Sequence, residues 1–205
     1  MSKFYKFINE ESDWEQIVKT LEKRCMPFLK EFDGPIYRGY NKGIQGKMSR
    51  KATRKDRKPR FIPEDVHNEL DELLYNMFGW YPRSNGVFTG SESVAKQFAN
   101  KNISKVYLFF PVGNYEYIWT EQYPDIYMLY DELSRAAKVG DYEPDTYEQV
   151  KQQLFDNVRN FYHEKYLNKM IINHRDFEAI FNCESFYLVD TDIFIDYDEF
   201  FMEEY

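Results

Sequence analysis

Two carboxylates two residues apart, Asp176 and Glu178, stand at the head of the apolar run Ala179, Ile180, Phe181. A short run of this kind reads as a buried strand, so the glutamate is set on rigid backbone. A fixed carboxylate can stabilise positive charge that builds in a transition state, as in glycoside cleavage. Far upstream, Tyr37-Arg38-Gly39 offers a guanidinium, whose planar fork suits phosphate oxygens, beside a glycine that lets a ligand approach the backbone closely. Thr89-Gly90-Ser91 adds two hydroxyls where a strand should run into a helix. Each has a plain structural alternative: a strand-edge glutamate, a surface arginine, a serine that only caps a helix.

The elements that must position these residues follow from spacing. Ser12 and Glu15 form a capping-box pair, and Trp14, Ile17, Val18, Leu21 and Phe28 recur at helical intervals, which predicts a helix over about residues 13–31. Asp33-Gly34-Pro35 ends it, and Pro35 to Tyr40 reads as the short strand carrying Arg38. Pro63 opens a second helix, with Val66, Leu70, Leu73, Leu74 and Met77 on one face and Gly79 as its stop. Gly86 to Thr89 is the next strand, and Ser91 or Ser93 caps a helix containing Val94, Ala95 and Phe98. Lys105 to Val112 reads as a central strand that Tyr115 to Trp119 continues after a turn. Residues 125–166 are helical in two pieces, split around Gly140 to Pro144. Phe177 to Phe181 and Phe186 to Val189 are strands joined by residues 182–185, with Ile193 to Ile195 as a last edge. Helices early and in the middle with strands late favour α+β over a doubly wound fold.

At 205 residues the chain suits a single domain. Aromatics make up 19% of it, enough rigid apolar area to form a core although 30% of residues are charged. The net charge of -8 hides an asymmetry: residues 42–60 hold nine basic residues and one acid, while residues 190–205 hold seven acids and no base. The basic segment lacks apolar periodicity and reads as a long loop, able to steer an anion, to bind nucleic acid or simply to sit in solvent. No apolar run approaches the roughly 18 residues that span a bilayer, so no membrane partner and a cytoplasmic location are expected. Two cysteines and three histidines without metal-ligand spacing argue against a disulfide framework or a metal. Gly-x-Gly-x-x-Gly and Walker-type loops are absent, which excludes the usual dinucleotide and triphosphate cradles.

Taken together, Arg38 on a first strand, Thr89 and Ser91 after Phe88, and Glu178 opening a late strand resemble the Arg, Ser-Thr-Ser, Glu-x-Glu signature of the ADP-ribosyltransferases. The wider run is similar to bacteriophage-encoded members: Arg57-Lys58-Pro59-Arg60, Phe78-Gly79-Trp80, residues 83–90, Ala95 to Ala99, Phe110-Pro111-Val112-Gly113, and Glu178 to Cys183 with Phe186-Tyr187. The resemblance spans Tyr37 to Val189. It implies an ADP-ribosyltransferase-like α+β domain, with two small perpendicular sheets forming an NAD cleft between flanking helices.

The same resemblance implies that NAD is the substrate and that no metal takes part. Glu178 would hold a ribose hydroxyl and the developing oxocarbenium ion, and Arg38 would grip the diphosphate, with Gly39 beside it. Thr89 and Ser91 would buttress the glutamate and the strand that frames nicotinamide. Asp176 stands where the family carries a longer acid or amide that helps choose the acceptor. Phe98, with Trp119 second, would stack on nicotinamide, and His174 and Arg175 would face the acceptor. The implied activity is mono-ADP-ribosyl transfer to a macromolecule, a host protein or nucleic acid, in the host cytoplasm or from the virion. The alternatives are an NAD glycohydrolase and an inactive phage structural or inhibitor protein of the same fold.

Overall fold

A computed structural model describes residues 13–59, 62–99, 105–120, 126–138, 144–173 and 176–191. The first helix, α1 (Asp13–Glu31), has the expected bounds, and Ile17, Val18, Leu21 and Phe28 are all buried. It is kinked at Cys25, whose φ of -120° and ψ of 19° lie off the helix, two residues before Pro27. Proline has no N–H to donate and its ring crowds the carbonyl one turn earlier, which accounts for the break. The second helix, α2 (Glu64–Phe78), opens with Glu64 and Asp65 against the positive end of its dipole. It stops at Gly79 with φ 81°, the left-handed conformation that favours glycine.

Five further helices follow among the described residues: α3 (Pro82–Asn85), α4 (Glu92–Phe98), α5 (Ile126–Lys138), α6 (Pro144–Phe161) and α7 (Leu167–Ile172). Seven strands, β1 (Tyr37–Tyr40), β2 (Met48–Ala52), β3 (Val87–Gly90), β4 (Lys105–Pro111), β5 (Glu116–Thr120), β6 (Glu178–Asn182) and β7 (Ser185–Asp190), form one sheet in the order β2-β7-β4-β1-β3-β6-β5. Every pairing is antiparallel. The chain is thus mixed α+β, as composition and element order predict.

Two local expectations need correction. The basic segment is not all loop, because Met48 to Ala52 forms the edge strand β2 against β7. Its residues, Met-Ser-Arg-Lys-Ala, lack the apolar alternation that marks a strand, and charge is what protects an exposed edge from pairing with other chains. Residues 116–120 do not extend β4; they cross to the opposite edge and pair with β6. β6 and β7 do not pair with each other, although only Cys183 and Glu184 separate them. The expected edge at Ile193 to Ile195 lies outside the described residues.

The single sheet replaces the two separate sheets expected, yet it is far from flat. Between β6 and β7 lie β3, β1 and β4, and four strand spacings in a flat sheet come to about 19 Å. The link from Asn182 to Ser185 reaches about 11 Å at most. The sheet must therefore turn sharply, and its weakest point is the β1–β3 seam, where Tyr37 and Gly90 form the one registered pair. Phe109 on β4 confirms the turn: its ring lies 5.1 Å from Phe181 on β6 and 5.3 Å from Phe186 on β7.

Two apolar clusters result. One joins α1 to Phe109, Phe110, Phe181 and Phe186; the other joins α2, α5 and α6 to Ile118 and Ile180. Ile180 and Phe181 are adjacent on β6 and enter different clusters, so this strand is covered on both faces. That is why its sequence is continuously apolar rather than alternating.

Candidate functional site

Where the sheet turns, backbone register collects the expected site residues. Tyr37 of β1 pairs with Gly90 of β3, Gly90 with Glu178 of β6, and Glu178 with Thr120 of β5. Glu178 and Arg38 are thus carried on strands separated only by β3.

Glu178 is 1% exposed, which excludes the strand-edge reading. Its Oε2 accepts a hydrogen bond from the Tyr162 hydroxyl at 3.3 Å. Tyr162 is itself buried just past the end of α6, and a tyrosine sixteen residues upstream carries no spacing signal that sequence could have used.

Asp176 is the solvent-facing carboxylate of the pair. The Ser91 hydroxyl lies 2.8 Å from its Oδ1, and the Ser93 hydroxyl makes a short bond to the same oxygen. Both hydroxyls of the motif meet the segment that carries Glu178. Ser91 contacts Asp176, and Thr89, 1% exposed, donates its hydroxyl to the Ala179 carbonyl at 2.9 Å. Ser91 also caps α4, accepting from the Val94 N–H at 3.4 Å. A backbone bond from the Ser91 N–H to the Phe177 carbonyl ties the two segments together.

Arg38 reaches across the seam. Its Nη1 donates to the Phe88 carbonyl on β3, and its guanidinium lies 5.3 Å from the Phe186 ring on β7. Its Nε is buried without a hydrogen-bond partner, and no carboxylate among the described residues pairs with it. Burial pulls the pKa down to about 10, with Tyr40 and Cys183 acting against the shift, so the side chain stays cationic at neutral pH. A half-buried cation without a counter-ion is costly by itself and is the group an incoming anion would satisfy.

Two expected roles do not fit the geometry. A Cβ at Gly39 would lie 2.3 Å from the Ala95 carbonyl oxygen, so the space beside this glycine is filled by α4 and not left for a ligand. Gly90 is packed as closely, since a Cβ there would meet the Phe177 carbonyl oxygen at 2.4 Å. Trp119 is buried, its indole N–H donates to the Lys165 carbonyl at 2.6 Å and its ring packs 4.5 Å from His163, so it is not free to stack on nicotinamide. Phe98 is 39% exposed at the end of α4 and keeps an open face. His174 and Arg175 lie outside the described residues.

Beside the seam, Phe88 carries a second group of cations that the sequence reading did not single out as a cluster. The Arg57 and Arg83 guanidinium carbons lie 4.4 Å and 5.0 Å from its ring centroid. No group of metal-ligating side chains occurs among the described residues, and no helix there is long and apolar enough to cross a membrane. No family model, no curated protein and no solved structure matches the chain, so the reading of this site rests on its own geometry.

Proposed function

We propose that the chain cleaves NAD at the bond between nicotinamide and ribose and transfers the ADP-ribosyl group to a macromolecular acceptor. The observation that carries this reading is the grouping at the seam: an exposed carboxylate held by two serine hydroxyls, a buried carboxylate two residues on, and a cation without a counter-ion one strand beyond their partner strand. Nicotinamide leaves from the ribose C1′ with the bonding electron pair and so departs neutral. The ribose carries positive charge in the transition state, and an acceptor nucleophile forms the new bond to C1′ while losing its proton.

In this scheme Glu178 faces the developing cation and Asp176 receives the acceptor's proton. Arg38 holds the diphosphate, and Phe98 offers its open face to the nicotinamide ring. The burial of Glu178 favours a second reading, in which this residue only fixes Tyr162 and the chain keeps the fold without turnover.

Labelled NAD and a host-cell lysate separate these readings, with protease and nuclease treatment reporting whether label is carried by protein or nucleic acid. Glu178→Gln should lower nicotinamide release about 100-fold at nearly unchanged NAD affinity, because the charge it meets exists only in the transition state. Asp176→Asn should suppress transfer more than release. Arg38→Ala should raise the NAD dissociation constant. Absence of nicotinamide release by the parent protein, with and without lysate, sinks the proposal.

A further inference from the structure

The cations around Phe88 are arranged as a site in their own right. Arg83 is the second residue of the short helix α3, and its Nε is buried without a hydrogen-bond partner. His67, on α2, is 3% exposed, and neither of its ring nitrogens is bonded. Among the described residues Arg83 forms no ion pair. Asp71, one turn along α2 from His67, does not neutralise it by contact: Oδ1 accepts the Arg83 N–H at 2.7 Å and Oδ2 the Ser84 N–H at 3.1 Å. Arg57 is brought in by its own N–H, which donates to the Ser84 carbonyl at 3.1 Å. The backbone is thus held by Asp71 and Ser84 so that two guanidinium groups lie over one aromatic ring near a buried imidazole.

Two like charges on one ring repel, and three buried nitrogens without partners cost stability. A phosphate group answers each term. It brings the negative charge that Arg83 lacks, its oxygens match the guanidinium fork, and it accepts an N–H from the imidazole. We propose that Arg57, Arg83 and His67 form a binding site for a phosphate group, seated against the ring of Phe88. The group belongs either to the dinucleotide itself or to a second phosphate-bearing molecule. The site does not depend on NAD cleavage, since binding can be read without turnover.

The test uses the full chain, calorimetry, and inorganic pyrophosphate as the probe, with Arg83→Gln and His67→Phe as variants. The parent should bind pyrophosphate, and each variant should weaken binding at least tenfold. His67→Phe removes two unsatisfied buried nitrogens, so it should melt at or above the parent temperature while losing the ligand, a pairing that a structural histidine would not show. Arg83→Lys keeps the charge but not the fork and should fall between Arg83→Gln and the parent. Competition between NAD and pyrophosphate assigns the phosphate to the dinucleotide, and simultaneous binding assigns it to a second molecule; both support the site. Equal pyrophosphate affinity in the parent and both variants overturns it. So does a parent that binds no pyrophosphate, or one that binds only a single-stranded oligonucleotide.

Discussion

Replacing Gly39 by alanine separates a packing role from a ligand-approach role. The new Cβ would lie 2.3 Å from the Ala95 carbonyl oxygen and 3.0 Å from the Ala99 nitrogen, both backbone atoms at α4. No side chain can rotate out of the way, so α4 must move by about 1 Å to restore ordinary contact near 3.4 Å. Overpacking of this kind costs about 1–3 kcal/mol. Alanine also restricts the unfolded chain, which returns about 0.4–1 kcal/mol because the native backbone at this position needs no positive φ. With the contact rigid on both sides, the net loss should fall near 2 kcal/mol. For a chain of this size that lowers the melting temperature by roughly 4–8 °C. Calorimetric melts of parent and Gly39→Ala measure it directly. An unchanged melting temperature together with a selective loss of NAD affinity would refute the packing argument and restore the ligand-approach role.

Trp119→Phe removes a buried N–H that satisfies the Lys165 carbonyl, so the protein should lose about 1–3 kcal/mol in urea melts while NAD affinity stays constant; lost affinity at full stability would instead place the indole in the site. Burial lowers the pKa of His67, with Arg83 and Arg57 adding to the shift and Asp71 and Glu64 opposing it. The unfolded chain therefore takes up a proton near pH 6.5 that the folded state resists. Stability from this group is complete above that pH and is lost as the pH falls below it; His67→Phe should flatten the acid-side decline, and parallel curves would contradict this. Neutralising Lys47, Lys51, Arg54 and Lys55, while sparing Arg50 because it donates twice to Ser185, should flatten the salt dependence of oligonucleotide binding by up to about 3 in log–log slope. An unchanged slope makes this edge a bystander to nucleic acid.

The helices were legible in the sequence because their signals are local. Ile17, Val18, Leu21 and Phe28 recur at the helical period in α1, and Pro63 with Gly79 brackets α2. The strand at Glu178 was legible for the opposite reason: burial on both faces makes it continuously apolar. Strand β2 was hidden, since an edge needs charge more than apolar alternation. Pairing was hidden too, because neighbours in the chain, β6 and β7, take their partners from opposite sides of a bent sheet. The residue types that could do chemistry, Arg38, Ser91, Asp176 and Glu178, are visible in one dimension. Which of them meet is not. Only the three-dimensional fold hands Asp176 to Ser91 and Ser93, buries Glu178 against Tyr162, fills the space beside Gly39 with α4, and sets Arg57 and Arg83 on Phe88 near His67. Sequence determines local propensity and chemical capacity. Contacts between residues tens of positions apart depend on register and packing, and the turn in the sheet decides those gathered at the β1–β3 seam.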